Sequence, residues 1–533
     1  MRKIAAFLLM AVPFTGIHAE SKSIVISPNN AVSINGERWE GWGTSLCWWA
    51  NRIGYSDSLT QKAAELFFDR EKGLGLNIMR YNVGGGDDPA HNHITRTDSD
   101  VPGWMVLNAR GRRVWDYGAD ARQLNVVKAA MKAAGQDAWL EIFSNSAPYF
   151  MTVSGCSSGN SKADENNLKD SEYADFAEYM AHVANYMTRT MGLKVRSVSP
   201  MNEPNTDYWS AMSRKQEGCH FDAGQAQSRL LSEMSKALHR YNLDNLILVA
   251  SDETNPGKQI EEIKALSPDA RAAIRRINVH TYGTNGIVEM GQMAKDMKMP
   301  LWMSEVDGNG TAGVNAGEMA AGLWLAEKII SDIESLKPSA WVLWQVIDTH
   351  VSKDGFNGRR DSGPLRTSGG YWGTAWADHD RNAIELTQKY YVFGQFTRYI
   401  RPGATFIKCQ TGKYSGCKAL VARDRRNLTI VCTNSSDRTN DLSFDLSQFK
   451  LKGTARQIRT SGSMADGEHW AESSVPVTDG WQLNVSLVPN SVTTFVIQFD
   501  TEKDKLKLED VHDDTRARTL FFNSFRNMFL PKK

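Results

Sequence analysis

The chain has 533 residues, enough for two folded units, one of which can be a large barrel. Its 62 Lys and Arg balance 61 Asp and Glu, leaving a formal net charge of +1, and no long basic run interrupts the folded part, so nucleic acid and acidic polymers are poor candidates for partners. With 16 Trp, 15 Tyr and 20 Phe it is rich in flat rings that stack on the C–H faces of sugars, although most such rings belong in a core.

The N-terminus reads Met1-Arg2-Lys3, an apolar run from Ile4 to Phe14, and Ala19 before a polar stretch. This pattern predicts a secretory signal peptide over residues 1–19 and a secreted or periplasmic protein. No later run reaches the ~18 apolar residues of a membrane span. In an oxidising compartment the cysteines can pair, and Cys156 with Cys219 and Cys409 with Cys417 are the candidate disulfides. Cys47 and Cys432 lie in apolar strands and read as buried free thiols. No Cys or His spacing suits zinc, and the stretch Asp307 to Gly310 lacks the spaced oxygens of a calcium loop, so neither metal nor cofactor is expected.

Residues 20–40 contain a strand-like segment, Ser23 to Ile34, placed to join a sheet formed at the other end of the chain. Over 41–400, short apolar runs alternate with amphipathic helices, the pattern of a parallel α/β fold. The runs are Gly41 to Ala50, Asn77 to Gly84, Asp137 to Asn145, Val195 to Asn202, Leu246 to Asp252, Arg276 to Tyr282, Leu301 to Glu305 and Ala340 to Ile347. Eight such runs close a (β/α)8 TIM barrel. Helical stripes such as Phe176, Tyr179, Met180 and Val183 face its strands, and the last helix is predicted from Glu385 to Tyr399, before Pro402. Residues 401–500 change character to β-branched runs between Gly, Asn and Ser, predicting an appended antiparallel β-sandwich. The charged tail, 501–533, reads as a frayed extension.

Barrel active sites lie where strands exit into loops. Glu203 ends the fourth run, in Val-Ser-Pro-Met-Asn-Glu-Pro-Asn, and Glu305 ends the seventh, in Leu-Trp-Met-Ser-Glu-Val-Asp-Gly. Two carboxyls facing one mouth can divide glycoside cleavage, one protonating the leaving oxygen while the other attacks the anomeric carbon or activates water. Arg80 at the end of the second run can hold a carboxylate ionised, and Tyr282 at the end of the sixth can orient one. Asn145, Asp252, Glu253 and His280 also end runs and are candidates for sugar hydroxyls.

Four stretches carry a resemblance: Gly-Trp-Gly-Thr-Ser-Leu-Cys-Trp-Trp-Ala-Asn (41–51), Asn-Ser-Ala-Pro-Tyr-Phe-Met (145–151), Pro-Met-Asn-Glu-Pro (200–204) and Trp-Met-Ser-Glu (302–305). Together they resemble glycoside hydrolase family 30, most of all its endo-β-1,6-galactanase branch, over roughly residues 23–500. The resemblance implies a retaining mechanism, with Glu203 as acid/base and Glu305 as nucleophile, and Asn202 on the 2-hydroxyl of the sugar. It also implies that Trp48, Trp49 and Trp344 wall the sugar site. The expected partner is a polysaccharide or oligosaccharide, cut by a monomer; β-1,6-glucan, glucosylceramide and glucuronoxylan are the other substrates the family handles. A non-catalytic carbohydrate-binding protein on the same scaffold is the remaining alternative, and the pairing of Glu203 with Glu305 argues against it.

Overall fold

Eight parallel strands close into a barrel in the computed structural model, which describes residues 23–364, 369–412 and 414–500. They are β1 (Gly41–Ser45), β2 (Ile78–Asn82), β3 (Trp139–Phe143), β4 (Val195–Ser199), β5 (Ile247–Glu253), β6 (Arg276–His280), β7 (Leu301–Glu305) and β8 (Ala340–Gln345). β8 pairs with β1, Trp341 opposite Trp42, and completes the ring. Most are buried along their whole length, because helices cover the outside and side chains fill the inside, which is why they read as nearly unbroken apolar runs. The predicted signal peptide and charged tail lie outside the described residues. No helix among the described residues is long and apolar enough to cross a membrane.

The outer helices bury one stripe each. In Tyr173–Asn185 the stripe is Tyr173, Phe176, Ala177, Met180, Val183 and Ala184, spaced at three and four residues. The last helix, Gln388–Thr397, is shorter than the sequence predicts. Its expected first turn is instead the strand Ala383–Leu386, paired antiparallel with Ala375–Asp378 across a turn where Asn382 takes φ +50°. This helix is buried on nearly every side because it lies between barrel and sandwich. Phe393 meets Trp42 of β1, with ring centroids 6.1 Å apart, while Thr494 donates to the Gln395 carbonyl at 2.9 Å from the sandwich side.

The sandwich strands are β9 (Thr405–Ile407), β10 (Cys417–Arg423), β11 (Asn427–Asn434), β12 (Asn440–Asp445), β13 (Leu451–Ser461), β14 (Glu468–Thr478), β15 (Gln482–Leu487) and β16 (Ser491–Phe499). The N-terminal strand Ile24–Val25 joins them parallel to β12, Ile24 opposite Phe444. All nine form one continuous sheet that curls over where β14 leaves β13 for β15, so Leu442 and Phe444 pack against Val421, Ile430 and Phe495 in a shared core. The two layers of the predicted sandwich are thus halves of a single sheet.

The expected disulfides are corrected by the structure: all six cysteines are free and buried. Cys156 Sγ accepts from the Met212 N–H at 3.3 Å and lies 3.5 Å from the hydroxyls of Ser154 and Ser158, while Cys219 sits in the main apolar core. Cys409 and Cys417 do not face each other across a hairpin, because β9 ends at Ile407 and a turn closed by Cys417 N–H on the Tyr414 carbonyl intervenes. Both join Cys432 in the sandwich core. Cys47 lies just beyond the end of β1 rather than within it.

Candidate active site

The strand exits are built to turn side chains inward. Between β6 and β7 the register slips at Met303/Glu305, which brings Glu305 opposite His280, and between β5 and β6 it slips at Ser251/Glu253. Such bulges re-aim the residue that follows them. Asp252 and Glu203 both take left-handed backbone, at φ +68° and +45°, and Glu203 N–H donates to the Asp252 carbonyl at 2.9 Å. Non-glycine residues rarely occupy that region except where surrounding structure holds them, as at functional sites.

Glu203 and Glu305 share the mouth with His280 between them. His280 Nδ1 lies 3.2 Å from Glu203 Oε1 and 3.6 Å from Glu305 Oε1, and the ligating atoms of the three side chains all fall within 4.8 Å of one another. Glu203 Oε2 accepts from the Tyr208 hydroxyl at 2.7 Å, and its carbonyl accepts from Trp209 Nε1 at 2.9 Å. Glu305 accepts from Arg80 Nη1 and from the Tyr282 hydroxyl, both at 3.1 Å.

A layer of charge inside the barrel supports this pair. Arg80 also donates to Glu141 at 3.1 Å and to Asp252, and Arg276 and Asn278 close on Glu141 from β6. Burial alone would keep His280 neutral, yet Glu305 and Asp252 on either side hold it protonated, up to about 10. Burial opposes ionisation of Asp252 too, but Arg80 and His280 pull it down to about 2. The two mouth carboxyls divide: burial lifts Glu305 to about 7 against His280 and Arg80, whereas Glu203, equally buried, is held below the ordinary carboxyl value by His280 and Tyr208. These directions are the reverse of those that an acid at Glu203 and a nucleophile at Glu305 call for.

Among the described residues, Glu203, His280 and Glu305 are also the trio with the spacing to hold a metal ion. A protonated His280 offers the two carboxylates an N–H rather than a lone pair to a metal.

A cavity of about 450 Å³ opens over these groups, lined by Trp48, Asn202, Glu203, Tyr282, Glu305 and Trp344 from the candidates read in sequence. Trp48 and Trp344 meet edge to face with centroids 4.9 Å apart. Asn202 Oδ1 has no hydrogen-bond partner among the described residues, as suits an acceptor awaiting a sugar hydroxyl. Arg80 and His280 are fully buried below the cavity and act on it through Glu305 and Glu203. Asn145 is buried beside Cys47 and does not line the cavity. Trp49 is a correction: it opens the helix Trp49–Ile53, donates to the Ser45 carbonyl at 2.8 Å and packs on Phe67 in the core, because the turn after Trp48 sends consecutive side chains to opposite sides.

Glu253 is no third mouth acid, since it is buried and accepts from the Asn205 and Thr254 N–H groups. Several lining residues went unread in the sequence: Arg96, Tyr208, Trp209, Ser213, Lys215, Gln216, Thr254, Asp307 and Trp372. They come from the loops and strand exits after β2, β4, β5, β7 and β8, where no periodicity marks position. Arg96 lies over the Trp48 ring at 4.3 Å and pairs with Asp98 and Asp348, fixing that wall.

The model of O-glycosyl hydrolase family 30 matches residues 22–285. The chain is 26% identical over 521 residues to an endo-β-1,6-galactanase of Hypocrea rufa, covering 93% of this chain and 99% of that one. It is 25% identical over 527 residues to an exo-β-1,6-galactobiohydrolase of Bifidobacterium longum subsp. longum, covering 80% of this chain but 34% of that longer protein. Among solved structures, a conserved exported protein of Bacteroides fragilis shares the fold with a TM-score of 0.70 at 19% identity, covering 89% of this chain and all of that one.

Proposed function

The chain belongs to O-glycosyl hydrolase family 30, and on that footing we propose that this O-glycosyl hydrolase is a retaining endo-β-1,6-galactanase that cuts the β-1,6-galactan side chains of arabinogalactan. The observation that supports the mechanism is the closeness of the two mouth carboxyls: one oxygen of each lies within 4.8 Å of the other, with His280 facing both. Retaining enzymes hold theirs about 5–5.5 Å apart, and inverting ones leave roughly 6.5–9.5 Å to admit a water. The Hypocrea relative named for this activity supports the linkage and the sugar.

In the proposed cycle Glu305 attacks the anomeric carbon while Glu203 gives its proton to the leaving glycosidic oxygen, so the C–O bond breaks as the glycosyl ester forms. Water then attacks the same carbon, losing a proton to Glu203 and releasing the Glu305 carboxylate. Trp48 and Trp344 supply apolar faces for the ring, and Asn202 accepts or donates at the neighbouring hydroxyl. The residue 1–19 segment suggests that the enzyme works on polymer outside the cytoplasm, as a monomer.

Exo-cleavage to the disaccharide is a second reading, favoured by the walled cavity in which Arg96 braces Trp48 and by the name of the Bifidobacterium relative. A product profile on defined β-1,6-galacto- and β-1,6-glucooligosaccharides separates these readings. Endo-galactanase activity gives a ladder from the galactose series, whereas disaccharide alone identifies exo-cleavage and preferential cutting of the glucose series rejects the sugar. Glu305→Gln should lower turnover by a factor on the order of 10³ or more. Proton NMR of the first-formed anomer checks the stereochemistry, and an initial α-product would overturn retention.

A further inference from the structure

Both oxygens of Glu203 face side chains of the protein. Oε1 faces His280 Nδ1 at 3.2 Å, and Oε2 accepts from the Tyr208 hydroxyl at 2.7 Å. A general acid needs one oxygen, with its proton, directed at the glycosidic oxygen. His280 cannot leave, because it is wholly buried and fixed on its other side by Asp252, 3.2 Å from Nε2. Tyr208 can: it stands on the loop after β4, its residue surface is 47% exposed, and its ring lies at the cavity wall against Trp209.

We propose that the Tyr208 hydroxyl is a substrate-displaced cap on the acid/base carboxyl: it occupies Glu203 Oε2 in the free enzyme, and the sugar on the leaving side evicts it. This rests on the reading of Glu203 as the acid/base. As the sugar enters and the cap leaves, Glu203 loses a donor to its charged form and takes up a proton from the solvent being displaced. That proton is the one passed to the glycosidic oxygen, and the hydrolytic water later restores it. Tyr208 is thus a positioning residue whose ring also offers a platform for the departing sugar.

The groups facing Glu203 make the exchange self-consistent. From β6 come His280 and Tyr282, from the β7 exit Glu305, from the β5 exit Asp252 and Thr254, and from its own loop Tyr208; Arg80 acts from β2 through Glu305. Of these, only Tyr208 and Tyr282 are substantially exposed large side chains, and the Tyr282 hydroxyl is engaged with Glu305. The negative charge of Glu203 is among the influences that lift Glu305. When Glu203 gains its proton that influence vanishes, and ionisation of Glu305 becomes easier.

The test is the pH dependence of cleavage of an unactivated β-1,6-galactooligosaccharide by wild type and Tyr208→Phe. It is read as kcat/KM, which reports the free enzyme, and as the single-turnover rate at saturation, which reports the complex. The cap predicts that Tyr208→Phe moves the alkaline limb of kcat/KM up by about half a pH unit or more and leaves the limb of the saturated rate in place. Unmoved limbs, or limbs that move together, overturn it. Glu203→Gln distinguishes failure of the underlying reading: an acid/base at Glu203 requires loss of oligosaccharide cleavage with survival of aryl-galactoside glycosylation, and retained oligosaccharide cleavage would reject that assignment whatever Tyr208 does. Circular dichroism of Tyr208→Phe, whose ring is retained, checks the fold.

Discussion

The Arg80 guanidinium, from β2, donates through Nη1 to Glu305 Oε2 of β7 at 3.1 Å, so the proposed nucleophile is held by a counter-charge that is itself fixed elsewhere. Arg80 spends its other donors on Glu141 and Asp252, and its planar fork meets three carboxylates at once. Lysine has the charge without the fork. Arg80→Lys should therefore keep much of the stability and lose turnover through a misplaced Glu305. Arg80→Gln, which takes one buried cation from Glu141, Asp252 and Glu305 at once, should cost roughly 3–5 kcal/mol of stability. Denaturant melts and kcat on galactan, measured for both variants, separate the two effects.

The Trp48–Trp344 pair predicts a different kinetic signature. Trp48 and Trp344 both line the cavity and meet edge to face. Loss of one stacking face should cost about 1–1.5 kcal/mol, close to tenfold in kcat/KM, carried mainly by KM. Trp344→Ala tests this with the fewest side effects, because Trp48→Ala also removes the plate under Arg96. A fall in kcat with KM unchanged would place Trp344 in the chemistry instead.

Acid sensitivity should come from a histidine pair behind the same wall. His350 Nδ1 lies 3.1 Å from His379 Nε2, with Arg52 at 3.2 Å from His379 Nδ1. Burial, the neighbouring histidine and Arg52 keep His350 neutral far below its ordinary value; burial and Arg52 hold His379 at about 4. Because the folded values lie below the ordinary 6.5, their contribution is complete above that pH and is lost as pH falls from 6.5 towards 4. Thermal melts should show Tm dropping across this window, and His379→Gln should flatten the drop. An equal slope in both proteins would clear the pair of the effect.

How much of this was legible follows physical lines. Each barrel strand is buried on both faces, so it announced itself as an apolar run, and Glu203 and Glu305 were found because they end such runs. β14 was missed because most of it is exposed at the edge of the fold, with Glu472, Ser473 and Ser474 in place of an apolar alternation. Glu385 and Leu386, the end of the strand Ala383–Leu386, read as helix because so short a strand suits either period. Trp48 and Trp49 look equivalent in sequence, and only the start of a helix between them sends one to the cavity and the other to the core. Tyr208 and Arg96 stand in loops, where position follows from tertiary contacts and leaves no local pattern.

The last prediction concerns Glu262, buried behind Glu253 on the helix Pro256–Ala265. Burial first, and then the charge of Glu253, push Glu262 well above the ordinary carboxyl value of 4.5, so it stays protonated beside Glu253. Glu253 in turn holds Asn205 and Thr254, the backbone beside the mouth. A carboxyl whose folded value is raised favours the fold while both states carry the proton. That advantage shrinks as pH rises above 4.5, since the unfolded chain releases its proton first. Glu262→Gln keeps a donor for Glu253 and has no proton to lose. Its Tm relative to wild type should therefore rise between pH 5 and pH 8, and the alkaline limb of activity should broaden if ionised Glu262 disturbs Asn205. A Tm difference independent of pH would mean that the proton on Glu262 does not bear on stability.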